Sequence, residues 1–212
     1  NSGTGPVIEG CYIGTNLAGT IAAPNLGGGV VLTSTNAGMI GGTTAAARNV
    51  ISGNGAQGVQ LQSFANGALI QGNYIGVTAG GNTALGNALN GVEINDGISN
   101  LVGDGTAGAT NVISSNTAGG GLSNGVYLHG GMSNMNQVSG NIIGLASNGT
   151  TVLGNGANGV LNDCPNTLIG GPTPLARNII SGNLESGIRV ESQSFSCFIT
   201  GNYIGLDVNG TL

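Results

Sequence analysis

Apolar residues along this chain come in short alternating runs, each closed by glycine and asparagine. In Gly58-Val59-Gln60-Leu61 the period of two sends Val59 and Leu61 to one face and Gln60 to the other. The same phase gives the inward pairs Val30/Leu32, Val92/Ile94, Val126/Leu128 and Ile188/Val190. A second run centres on Ile40, Ile70, Val102, Val138, Ile169 and Ile199. A third centres on Ile13, Ile51, Ile75, Ile113, Ile143, Ile180 and Ile204. No stripe of helical period is visible, and glycine is costly inside helices.

These runs belong to a repeat. Gly10-Cys11-Tyr12-Ile13-Gly14 returns as Gly72 to Gly76, Gly140 to Gly144 and Gly201 to Gly205. A second block, Asn49-Val50-Ile51-Ser52-Gly53-Asn54, alternates with it and returns at Asn111 and Asn178. Each block recurs every 61 to 68 residues, whereas the Gly-Val/Ile step preceding the first run recurs every 28 to 34. The unit is therefore one coil of about 31 residues, and two coil types alternate. Three short strands per coil, each stacking on its counterpart one coil on, predict an all-β, single-domain right-handed parallel β-helix spanning 1–212. An antiparallel sandwich would not need two coil types in fixed phase. Asparagines at Asn54, Asn73, Asn87, Asn141, Asn155, Asn183 and Asn202 follow glycine, and are expected to form internal ladders at the turns.

Three positions depart from the pattern. Asn162 stands where other coils have Leu, Ile or Val, as at a shifted strand end. Cys11 replaces an asparagine, and Asp104 replaces the glycine found at Gly42 and Gly171.

The runs Ala47 to Asn54 (ARNVISGN), Gly72 to Gly76 (GNYIG), Leu85 to Asn87 (LGN) and Leu168 to Gly171 (LIGG) carry a resemblance over nearly the whole chain. They are similar to the right-handed parallel β-helix repeats of very large secreted or cell-surface proteins of bacteria and some archaea. The resemblance implies the fold and an extracellular or cell-surface location. It is weak for activity, because such coils also occur in pectate lyases, epimerases, phage tailspikes and adhesins.

Composition narrows the function. Glycine supplies 44 of 212 residues, and Arg48, Arg177 and Arg189 are the whole basic inventory. That is too little positive charge to neutralise phosphates, so no nucleic-acid partner is expected. No apolar run is long enough for membrane insertion. Cys11, Cys164 and Cys197 lack metal-ligand spacing, and they read as buried or incidental thiols, with a Cys164–Cys197 bridge between adjacent coils as the alternative.

Lyases and glycosidases on such coils need clustered carboxylates. The acids are Glu9, Glu93, Asp96, Asp104, Asp163, Glu185, Glu191 and Asp207. Glu93 falls on the outer face between Gln60 and Tyr127, and no dense acid group with a basic partner emerges. His129, the one histidine, reads as a surface turn residue. Glycine runs at 27–29 and 119–121 lack the lysine of a phosphate loop and read as coil turns. The outer row Val31, Gln60, Glu93, Tyr127, Leu161 and Arg189 is no threonine array for ice. Asn148 and Asn209 match the N-glycosylation pattern, in the long connection after the third strand.

Neither end shows a polar cap, so the chain reads as a segment of a longer array or as a subunit that stacks head to tail. The expected function is a non-catalytic extracellular scaffold or adhesive fibre module without cofactors, its partner being itself or a surface polysaccharide. The alternative is a carbohydrate-binding or carbohydrate-processing β-helix.

Overall fold

A computed structural model of the chain describes residues 5–117 and 123–211; the glycine run at 119–121 lies outside them. The chain winds into a parallel β-solenoid of about six turns, with about 32 residues per turn. The first sheet holds Val30–Thr33, Val59–Gln62, Val92–Asn95, Val126–His129, Val160–Asn162 and Ile188–Val190. The second runs from Val7–Ile8 through Met39–Gly41, Leu69–Gln71, Leu101–Val102, Gln137–Val138 and Leu168–Gly170 to Phe198–Thr200. The third runs from Tyr12–Ile13 through Val50–Ile51, Tyr74–Ile75, Val112–Ile113, Ile142–Ile143 and Ile179–Ile180 to Tyr203–Ile204. Every pairing within the three sheets is parallel. No helix among the described residues is long and apolar enough to cross a membrane.

Register places like on like. Ile13 pairs with Ile51, then Ile75, Ile113, Ile143, Ile180 and Ile204 follow in order. The inner five are fully buried; Ile13 is half-buried and Ile204 exposed, because no further coil covers them. The glycine before each first-sheet strand makes room for this column. A Cβ on Gly91 would lie 2.5 Å from Ile113 Cγ2 and 2.7 Å from the Gly125 carbonyl oxygen. The Gly-Val signature in the sequence is thus the mark of an isoleucine packed against bare backbone.

The two coil types differ in where they spend their extra residues. One type makes a hairpin-like excursion after the third sheet, closed by antiparallel bridges Thr15–Ala22, Val77–Ala84 and Leu145–Val152. The other makes a longer connection between the second and third sheets, which at Pro174–Ala176 is a short 3-10 turn. An excursion is thicker than one strand spacing of about 4.8 Å. On alternate coils each has two spacings to fill, and successive excursions then bond directly: Ala79 N donates to Gly19 O at 2.9 Å, Ser147 N to Gly81 O at 2.9 Å, and Val208 N to Gly149 O at 3.1 Å. The longer connections hold the preceding coil in turn, through Gly10 N to Ala47 O, Gly72 N to Ala109 O and Gly140 N to Ala176 O. Arg48 lies 4.2 Å over the Tyr74 ring and Arg177 4.0 Å over that of Tyr203, each donating through Nε to a neighbouring carbonyl.

The expected asparagine ladders are present. Asn49, Asn73, Asn111, Asn141, Asn178 and Asn202 form one, each Nδ2 donating to the next Oδ1 at 2.9 to 3.1 Å. Asn25, Asn54, Asn87, Asn116, Asn155 and Asn183 form a second, at 2.8 to 2.9 Å. Their second N–H bonds close turn carbonyls, as Asn111 does with Ile70 O at 2.7 Å. At the Cys11 position the ladder survives only as a backbone bond, Cys11 N to Asn49 Oδ1.

Asn162 is not at a shifted strand end. It pairs in register with Leu128 and Val190 and points inward, fully buried. Its Nδ2 donates to Cys164 O at 3.0 Å and contacts Cys197 Sγ at 3.6 Å, while its Oδ1 has no partner. The three cysteines are free thiols. Burial raises the Cys164 thiol to about 11 and pushes Cys197 up as well, so both are poor nucleophiles at neutral pH.

Candidate functional site on the outer face of the first sheet

The outward side chains of the first sheet stack as Val31, Gln60, Glu93, Tyr127, Leu161 and Arg189. Two residues further along, a second outward row includes Asn95 and His129. The two rows converge on Glu93. Gln57 and Asn90 each donate to its Oε2 at 2.8 Å, and Gln60 donates to Oε1 at 3.1 Å. His129 Nε2 lies 3.4 Å from Oε1. Its ring stacks on Tyr127, with centroids 4.1 Å apart and planes 12° apart. The histidine is therefore part of a packed strand face, not a surface turn, and it brings the acid a basic neighbour that sequence spacing did not reveal.

Burial alone would raise the Glu93 pKa. His129 and the three amides outweigh that and hold it at about 2. The amides are the firmer hold, because His129 Nε2 makes no aligned hydrogen bond at its longer distance. Asn90 also ends a third ladder of opposite sense. Asn158 Nδ2 donates to Asn124 Oδ1 at 3.0 Å, and Asn124 Nδ2 to Asn90 Oδ1 at 3.1 Å. The last donor of this polarised row meets the carboxylate.

Around this centre the groups are looser. Burial and then the charges of Asp163 and Glu93 push the Tyr127 phenol up. Arg189 turns away onto Glu191, its Nε 2.6 Å from Oε1 on exposed surface. Asp96 and Asp163 each accept one backbone N–H at 3.0 Å, from Met132 and Gln193. Asp104 accepts from Thr106 N, Thr106 Oγ1 and the Gln71 amide, which explains an acid where other coils carry glycine. Asp207 braces the last excursion, and backbone bonds from Thr211 and Asn209 lower its pKa. No group of three or more His, Cys, Asp or Glu able to hold a metal occurs among the described residues.

Asn148 and Asn209 are exposed on successive excursions. The Asn148 amide is already used, accepting from Thr150 N and Thr151 N and donating to Thr151 Oγ1. No family model, no curated protein and no solved structure matches the chain.

Proposed function

We propose that the chain is a non-catalytic scaffold or adhesive module that works outside the cell or on its surface. The observation that carries this reading is the unbroken stacking. Two asparagine ladders and one isoleucine column run through the coils without a slip in register. Such a body is stiff along its axis and leaves little unbonded backbone for a protease. The chemistry of Glu93 supports the non-catalytic part. A carboxylate whose two oxygens accept three amide bonds, held near pKa 2, has no proton to give at neutral pH.

One observation favours the second reading, a carbohydrate-binding or carbohydrate-processing surface. The Tyr127–His129 ring pair sits beside polar side chains on a sheet face, the mix that sugars use for stacking and hydrogen bonds. The discriminating experiment incubates the protein with uronate and neutral oligosaccharides. It then compares retention of the native chain and Tyr127→Ala on insoluble polysaccharide. The scaffold reading expects no cleavage product and equal retention of both. Released product, or retention lost with Tyr127→Ala, would transfer the assignment to the second reading.

A further inference from the structure

We infer that the corner between the first and second sheets is a docking ridge for a basic amphipathic helix of another protein. Ser34-Thr35 and Asp96-Gly97 bridge this corner on alternate coils, whereas the coils that follow them need Ser63-Phe64-Ala65 and Gly130-Gly131-Met132-Ser133. Each longer bridge puts a large apolar side chain outside: Phe64 is 51% exposed and Met132 56%, with Met135 close by at 54%. Asp96 lies between the two longer bridges and joins them. Its carbonyl accepts from Phe64 N at 2.9 Å and its Oδ1 from Met132 N at 3.0 Å. Its Oδ2 has no hydrogen bond among the described residues. Asp163 stands one coil beyond Met132, with one oxygen on Gln193 N. Along the rod the corner therefore reads apolar, acidic, apolar, acidic. Phe195 is exposed as well, but no following coil covers it, and it does not count towards this pattern.

Backbone conformation sets these residues apart. Phe64, Asp96 and Met135 hold φ of +66°, +59° and +52°, a region costly for residues that carry a Cβ. At the turns after the third sheet the left-handed conformation falls to glycine, as at Gly14, Gly53, Gly76, Gly144, Gly182 and Gly205. Glycine also fills the place of Met135 two coils earlier, at Gly67. The fold accepts glycine at this corner, so the exposed side chains there serve contact and not folding.

Spacing and charge select the partner. Phe64 and Met132 are two coils apart, about 9.6 Å along the axis. Seven residues of an α-helix advance about 10.5 Å and return to the same face, and the turn between them faces the same way. A helix with an apolar residue at every seventh position, and Lys or Arg in the intervening turn, sets apolar groups on Phe64 and Met132 and a cation on Asp96. An extended segment repeats on one face every ~6.7 Å and falls out of step. A second copy of this chain does not supply the cation. It has no lysine, Arg48 and Arg177 lie over tyrosine rings, and Arg189 is held by Glu191. The flexible thioethers of Met132 and Met135 suit a packed helical face. This inference goes beyond the scaffold reading and does not depend on whether Tyr127 binds a sugar.

The test titrates the full chain with a helical peptide of about 18 residues, leucine at every seventh position and lysine in the turns between, and follows backbone amide shifts. One control peptide carries glutamate for lysine; another has the same composition in shuffled order. The expected result is saturable binding of the lysine peptide alone, with shifts centred on residues 63–67, 96–99 and 130–135, weakening as salt rises from about 50 to about 500 mM. Phe64→Gly, Met135→Gly and Asp96→Asn, the last keeping the acceptor for Met132 N, should each weaken binding about fivefold or more. Both glycine variants should keep a Tm at or above the parent's. The inference is overturned by no saturable binding, by equal binding of either control peptide, by shifts centred elsewhere, or by glycine variants that bind as the parent does. A lower Tm in both glycine variants would assign the side chains to the fold and overturn it. Shifts at this corner from an amino-sugar oligosaccharide, with none from the lysine peptide, would give the ridge to a sugar and overturn it equally.

Discussion

Single side chains in this solenoid are judged by whether their stack is complete. Asn111 accepts from Asn73 N and Nδ2 and donates to Ile70 O and Asn141 Oδ1. Asn111→Ala strands several of these groups in a dry interior and is expected to cost about 3 kcal/mol or more in denaturant unfolding. Asn25→Ala, at the exposed end of its ladder, should cost under about 1 kcal/mol. Asn162 has the opposite sign. Its orphan Oδ1 interrupts a row of Leu32, Leu61, Ile94 and Leu128, so Asn162→Leu should stabilise by about 1 kcal/mol. Glu93 sets an acid limit. Its folded pKa lies below the unfolded value of about 4.3, so its contribution is present above that pH and is lost as pH falls through about 2. The loss should be of order 1–2 kcal/mol after solvent screening, and in Glu93→Gln the slope of stability between those two pH values should flatten.

At the scale of the element, glycine separates positions that look alike in sequence. Gly76 has φ +86°, and a Cβ there would sit 2.1 Å from Ser114 O. Gly76→Ala should destabilise by about 2 kcal/mol or more. Gly80, four residues on in the excursion, has nothing within 4 Å of a Cβ, and Gly80→Ala should change stability by no more than about 0.5 kcal/mol. Thermal unfolding of the two variants checks both. The strands themselves were legible in the sequence, because alternation and the Gly-Val step fix which residues face inward. The excursions were legible only as extra length. Asn16 to Ile21, Thr78 to Thr83 and Ala146 to Thr151 share a left-handed glycine at the fourth position (Gly19, Gly81, Gly149) and little else, since their cross-coil bonds are mostly made by backbone. The Glu93–His129 contact was hidden for a related reason. It is a diagonal between neighbouring strands, and it becomes visible only once Glu93 is set opposite Tyr127 and His129 opposite Asn95.

For the molecule as a whole, the alternation of coil types is a packing requirement. Excursions and long connections each need two strand spacings, so they take alternate coils and brace one another along the rod. Stability then sums over neighbouring coils. All of this rests on a register that sets each third-sheet isoleucine directly on the next. Methyl–methyl nuclear Overhauser contacts among Ile13, Ile51, Ile75, Ile113, Ile143, Ile180 and Ile204 measure that register. The coil order predicts cross-peaks between consecutive members only, in that sequence. A dominant contact that skips a member, such as Ile51 to Ile113, or no contacts along the column, would contradict the stacked-coil structure.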